Sequence, residues 1–451
     1  MAIRGFTINI SERLSEKQAT CFAQWIGSSN VIRNQKIIEY RQFIASKEVN
    51  AINQAYSHIK KNENFPFLKD IPVQLLRNAA SSIYSDAEAA RKGLRKFPKI
   101  KAKFKKRSVL ITKELLLVEP FKEGSLLTIF NNATKKRKKL FSIQLPYLPE
   151  QLSKQIRISR QGARFSLSGS FDDGVATIDN ITLLSDYAHL DVEELAGNIT
   201  GIDRGVKRPI QSSDGLTLAY NPAEVASLRQ QAQRKARYQR LLARKKRLAE
   251  NKNKHRCESN NQRKLAAKIT RADQKIADIR INFSHYASKR VVDSARPIIS
   301  LEDLKLKNML AKSKPKRTVS GRGFEKNNRR AKSGLSRSLQ SVALSRLGTF
   351  IKYKAEDAGK AVVEVNPAYT SRTCHHCQSR NTSRPEQATF MCLNYGFMGN
   401  ADENAAKVIA QRAVPYIKEN KFADKAKSRK SIARRKKKVV DPPLVPELAS
   451  G

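Results

Sequence analysis

The sequence predicts an α/β chain of several domains, with a helical start, a β-rich middle and a second half in which apolar strands end on acids. Three observations predict it. Apolar side chains recur at helical spacing before residue 100, short strand-like runs between Gly, Pro, Asn and charged turns fill 108–181, and strand and helix signals follow one another from 197 onward. With 451 residues, 40% of them hydrophobic, the chain can support about two to four cores.

Residues 3–10 alternate as a strand, and Ser11-Glu-Arg-Leu-Ser-Glu supplies a helix-start signal. The helices that follow run to about Lys96. One stripe comprises Phe22, Trp25, Ile26, Val31, Ile32, Ile37, Ile38 and Phe43; a second comprises Leu75, Leu76, Ala79, Ile83 and Tyr84 and reaches Ala90. The basic segment 97–107 leads into strands over 126–130, 140–145, 156–159 and 164–170, most economically a small barrel. Next, 198–206 reads as a strand ending on Asp203, and 210–213 with 216–220 forms a hairpin around Asp214-Gly215, the start of a ribonuclease-H-like core. A very basic helical pair covers 222–290, broken near 251–261. Residues 297–304 form a buried strand ending on Glu302, and 311–334 is a Lys, Arg, Ser and Gly-rich loop expected to be mobile. A helix over 339–356, a strand over 361–365 and a basic, proline-bearing tail from 421 complete the chain.

Charge narrows the partner. Lys and Arg number 88 against 40 Asp and Glu, a net charge of +48, and such a positive field calls for a polyanion, by default nucleic acid. No apolar run approaches the roughly 20 residues that cross a bilayer, and residues 1–10 lack a secretory apolar core, so a soluble, intracellular protein is expected. The charge of the 222–290 pair is nearly one-signed, which is self-repulsive unless phosphates lie nearby; Arg234, Lys235, Lys245 and Lys246 are its candidate phosphate contacts. Three of the five cysteines fall in one cluster, which suits a metal site in a reducing compartment; Cys21 and Cys257 have no partner pattern.

The cluster is Cys374-His-His-Cys377 with Cys392, and Tyr395 stands where a second C-x-x-C would close. A phenol with a pKa of about 10 is a poor zinc ligand at neutral pH. The fourth position is left to His375, His376, water or nothing, and a weakened or absent zinc is favoured over a rebuilt site. Downstream, Asn400 or Asp402 caps a helix that continues through Ala405, Val408 and Ile409. Asp203, Glu302 and Asp402 thus end two strands and open one helix. Together they suit two divalent cations of the magnesium or manganese kind, the arrangement that hydrolyses phosphodiesters. Of their competitors Asp214, Glu224 and Asp303, the first is explained by its turn, and the last is expected to point away from Glu302.

Phe97-Pro98-Lys-Ile-Lys-Ala-Lys, Gly201-Ile-Asp-Arg-Gly-Val with Ser213-Asp-Gly, Leu301-Glu-Asp-Leu, Tyr353-Lys-Ala-Glu and, most specifically, Val365-Asn-Pro-Ala-Tyr-Thr-Ser-Arg-Thr-Cys374-x-x-Cys377 through Ala401-Asp-x-Asn-Ala-Ala406 run in one order. In these the chain resembles the TnpB family, transposon-encoded RNA-guided DNA endonucleases similar to compact type V CRISPR effectors. The helices before Lys96 share the resemblance loosely. It implies an RNase H-like RuvC nuclease domain with a zinc-ribbon-like insert, and an oligonucleotide-binding-like β-barrel wedge domain carrying an inserted helical recognition lobe. On this chain that places the first wedge strand at 1–10, the recognition lobe at 11–100, the wedge barrel at 101–195 and the RuvC-like domain at 196–370 with its basic insertion 222–290. The insert follows at 371–400, the end of the RuvC-like domain at 401–420 and a disordered basic tail at 421–451.

The resemblance further implies that Asp203, Glu302 and Asp402 are the catalytic, magnesium-holding triad and that Cys374, Cys377 and Cys392 are zinc ligands. The family's fourth cysteine is Tyr395 here. Implied partners are a guide RNA from the transposon end and double-stranded target DNA bearing a short flanking motif, in a prokaryotic cytoplasm at the nucleoid. The alternative is a nuclease-inactive, RNA-guided DNA-binding repressor derived from the same family.

Overall fold

The chain folds as two units, Met1–Ala176 and Thr177–Lys427. The computed structural model describes residues 3–100, 107–132, 138–149, 152–172, 178–251, 259–311, 317, 318, 323, 325, 329–342 and 344–421. Cys257, most of the basic segment 311–334 and all of the tail beyond 421 lie outside the described residues.

In the first unit, strand β1 (Ile3–Asn9) is followed by a 3-10 turn over Ser11–Arg13. Helix α1 (Glu16–Ala45) starts later than Ser11 because the Ser11 hydroxyl is committed elsewhere, accepting from the Phe165 amide at 2.8 Å, while Ser15 and Gln18 form the reciprocal capping box. Helices α2 (Ser57–Lys61) and α3 (Val73–Arg91) follow. Ile37 is fully buried but its neighbour Ile38 is 39% exposed, since residues one apart on a helix point about 100° from each other. Six strands come next: β2 (Arg107–Thr112), β3 (Leu116–Phe121), β4 (Gly124–Phe130), β5 (Lys139–Leu145), β6 (Leu152–Gln161) and β7 (Arg164–Asp172). They form two antiparallel sheets, β1-β7-β6-β2 and β3-β4-β5, where the sequence reading expected one barrel. The chain leaves the first sheet at a 3-10 turn over Lys113–Leu115, which gives β3 a new partner. Both sheets still bury one core with the helices, including Phe22, Leu76, Ile111, Leu127, Ile158 and Leu167, at roughly 1.5–3 kcal/mol for each large side chain.

The second unit opens with α4 (Asn180–Ala188) and α5 (Val192–Gly197). The sequence reading placed both in the barrel segment 101–195. They pack here instead, Leu184 and Leu195 sharing a core with Ile409 and Ile417. The central sheet holds β8 (Ile199–Asp203), β9 (Ile210–Ser212), β10 (Thr217–Leu218), then, after helices α6 (Pro222–Asn251) and α7 (Asn260–Ser294), β11 (Ile298–Glu302). Helices α8 (Leu306–Met309), α9 (Arg329–Val342) and α10 (Leu344–Asp357) precede its last strand, β12 (Ala361–Val365). The order is β10-β9-β8-β11-β12, with β8, β11 and β12 parallel and β9 antiparallel to both of its neighbours, so that only β9 runs against the rest of this mixed α/β sheet. Alternation along β11 sends Ile298 to one core and Ile299 to another, so both faces are covered. A small sheet, β13 (Thr382–Ser383), β14 (Thr389–Cys392) and β15 (Met398–Asn400), leads directly into α11 (Ala401–Lys418).

Candidate functional site

Asp203 and Glu302 end neighbouring parallel strands, whose register pairs Ile202 with Leu301. The third acid arrives on a helix. Asn400 is the cap, accepting from the amides of Asp402 (3.0 Å) and Glu403 (3.2 Å), so Asp402 sits in the first turn of α11, not at the cap position. Gly201 sets how close α11 comes to β8: a Cβ there would meet Ala406 O at 2.1 Å and Ala410 N at 2.6 Å. Any side chain would push the helix off the strand. Asp203 feels the other two carboxylates. Burial, then Glu302, then Asp402 push the Asp203 carboxyl up to about 7, against a smaller opposing pull from Arg204.

Arg204 is buried beneath this group. Its guanidinium donates to the Glu302 carbonyl, and it lies where a side chain at Gly348 would have to be, since a Cβ there would meet Nη1 at 2.2 Å. Burial lowers its pKa, and Glu302, Glu364, Asp203 and Asp303 oppose that change. Thr370, itself buried, donates its hydroxyl to Glu302 Oε1 at 2.5 Å and so fixes that carboxylate. A cavity of about 760 Å³ opens beside Asp203 and Glu302, lined also by Asp303, Glu364, Asn366 and Ser371. Asp303 therefore reaches the same cavity as Glu302, contrary to the expectation from strand alternation, because β11 ends at Glu302 and the chain turns after it. Asp214 accepts from Thr200 and pairs with Arg296 at 3.2 Å, and Glu224 caps α6 with Asn221. Both are structural.

The cysteines converge as expected. The sulfurs of Cys374, Cys377 and Cys392 lie within 4.8 Å of one another, and no histidine or acid joins them among the described residues. His375 is held by Asn404, which accepts from its amide at 3.1 Å and bonds its Nδ1 at 2.9 Å. His376 stacks on the ring of Tyr395, which is 60% exposed. Three soft donors suit zinc, but these residues do not supply the closed four-ligand shell of a structural site.

A family model described as Cas12f1-like, TNB domain, matches residues 345–409, the stretch that holds the three cysteines and Asp402. An Escherichia coli (strain K12) protein named RNA-guided DNA endonuclease InsQ is 33% identical over 215 residues, 48% of this chain and 48% of its own length. Over these stretches the chain is similar to a protein named as an RNA-guided DNA endonuclease and to Cas12f1-like proteins. The CRISPR-associated endodeoxyribonuclease Cas12f1 of Sulfoacidibacillus thermotolerans is 43% identical over 76 residues, 17% of this chain and 18% of that protein. Among solved structures, a Cas12f1–sgRNA–target DNA complex aligns over 88% of this chain and 83% of that one, at 15% identity and a TM-score of 0.49. The chain spans about half the length of the first of these curated relatives.

The basic pair α6 and α7 lies on both sides of residues 252–258, with Ser259 and Gln262 forming a capping box at the start of α7. Arg234, Lys245 and Lys246 are exposed, whereas Lys235 pairs with Asp273 at 2.6 Å and belongs to the hairpin's own packing. No helix of the described residues is long and apolar enough to cross a membrane. Arg204, Thr370 and Gly201 escaped the sequence reading. Arg204 and Gly201 flank Asp203 in the Gly-Ile-Asp-Arg run and were there to be noticed, but Thr370 meets Glu302 only through the fold.

Proposed function

We propose that the chain is a transposon-encoded, RNA-guided DNA endonuclease in which Asp203, Glu302 and Asp402 form the cutting centre. The observation that carries this is that Glu302 and Asp402, from a second strand end and a helix start, act with burial to push the Asp203 carboxyl up. Crowded acids are costly without a cation. The donor set is all carboxylate, which fits magnesium or manganese rather than a softer ion. Such ions, when bound, supply the Lewis acidity and activated water of two-metal phosphodiester hydrolysis. The protein's own part is positional: Thr370 orients Glu302, Asn400 fixes the start of α11, and Arg204 offsets part of the negative charge from below.

Guide RNA and target DNA are proposed to lie on the basic surfaces, among them Arg234, Lys245 and Lys246, with base pairing supplying sequence specificity. The first unit is read as the wedge domain with its helical recognition lobe, and the small sheet with Cys374, Cys377 and Cys392 as the zinc-ribbon-like insert. Zinc there is held through three thiolates and more weakly than at a four-ligand site. The setting is a prokaryotic cytoplasm. Sequencing the RNA that co-purifies with the full chain tests the guided class. A defined species encoded beside the gene, whose replaced guide segment redirects binding, is expected; bulk cellular RNA would contradict the proposal. Guided binding without cleavage by the wild type would select the repressor reading.

A further inference from the structure

Tyr395 stands where the cysteine pattern asks for a fourth thiolate, and its ring does something else. The turn keeps the backbone of a metal knuckle: the Tyr395 amide donates to Cys392 Sγ at 3.3 Å, and the Gly396 amide donates to Cys392 O at 2.9 Å with Gly396 at φ +72°. The ring is taken up by a stack. It lies nearly parallel to His376, 4.9 Å between ring centroids and 22° apart, and with 60% of the residue exposed its other face is open. His376 is backed by Phe397 and His375, at 4.8 Å and 4.0 Å, so the stack rests on a packed base. His375 is bonded to Asn404, two residues beyond Asp402 on α11, which ties the stack to the helix that carries an acid of the cutting centre.

The nearby cation is engaged elsewhere, the Arg380 guanidinium lying over the Tyr369 ring at 4.5 Å. Exposed Arg380 lies between Ser379 and Asn381, whose atoms bond the 393–394 turn at 3.0 Å each. An open aromatic face with a rigid backing suits a nucleobase, and the net charge of +48 favours a polyanion over a peptide. We propose that the Tyr395–His376 pair is a stacking platform for an unpaired base of a single nucleic-acid strand, the replaced metal ligand having become a binding face. This rests on the nucleic-acid reading above but not on cleavage.

The test uses the full chain with its co-purified RNA, in EDTA so that nothing is cut. Fluorescence anisotropy compares an oligothymidine strand with an abasic strand of equal length, at salt high enough to weaken phosphate attraction. Stacking on one residue is expected to favour the thymidine strand by about 5- to 100-fold. Tyr395→Phe should keep that preference, and Tyr395→Ala and Tyr395→Leu should reduce it at least about fivefold while affinity for the abasic strand stays unchanged. Tyr395 is exposed, so these variants are expected to fold, and matched thermal melts check it. An equal preference in wild type and Tyr395→Ala would overturn the proposal. Failure of the wild type to bind either strand would overturn the nucleic-acid reading as well.

Discussion

Asp203 shows what the site costs the fold. Its carboxyl is pushed up to about 7 from an ordinary 3.8, so between those pH values the folded chain holds a proton that the unfolded chain has released. Folded stability, in the absence of divalent ions, therefore falls as pH rises through that window. Asp203→Asn, which cannot ionise, should raise Tm in EDTA at pH 8 and raise it less at pH 5, while abolishing cleavage; a gain no larger at pH 8 than at pH 5 would point to packing rather than charge. Thr370 acts one residue further out. Its hydroxyl bonds Glu302 Oε1, and Thr370→Val leaves a buried carboxylate oxygen without that donor, a loss of about 1–3 kcal/mol. Cleavage should slow by about tenfold or more, with Thr370→Ser close to wild type. Equal rates for Val and Ser would remove Thr370 from the positioning of Glu302.

Elements matter because each acid depends on how its strand or helix is seated. Gly201 lets α11 lie against β8, and Gly201→Ala places a Cβ against backbone that can yield only if the helix shifts. A Tm lowered by several degrees and impaired cleavage are expected; unchanged melting and rate would show that α11 tolerates the shift. Strand β12 matches its sequence reading because Ala361–Val365 is a short, largely apolar run that buries every second residue, and β8 and β11 were legible as short apolar runs buried almost throughout. Helix α9 was not legible before Leu339. Residues 329–338 are basic with Gly and Ser, a loop composition, and the helix is secured by Leu339 and Val342 packing on Leu306 and Leu310. Helices α4 and α5 were assigned to the wrong unit because their partners, Ile409 and Ile417, lie near the far end of the described chain. Local pattern cannot show such contacts.

Across the whole molecule the excess of 48 positive charges is the dominant physical fact, and it was plain in the sequence. Which charges are available was not, since only the fold pairs Lys235 with Asp273. Replacing Arg234, Lys245 and Lys246 together with Gln should flatten the salt dependence of DNA binding by roughly three phosphate contacts, a change in log–log slope of about 2.7. An unchanged slope would assign those side chains to a solvated face. The three acids were singled out in the sequence as a set, but that Glu302 and Asp402 push the Asp203 carboxyl up emerged only from the fold. The central claim is that Asp203, Glu302 and Asp402 make one cation-dependent cutting centre. Cleavage of a guided target by the purified ribonucleoprotein, measured in magnesium for Asp203→Ala, Glu302→Ala and Asp402→Ala with target binding followed in parallel, tests it most directly. The account predicts that each variant binds like wild type and does not cut. Cleavage at the wild-type rate in any one of them would contradict it.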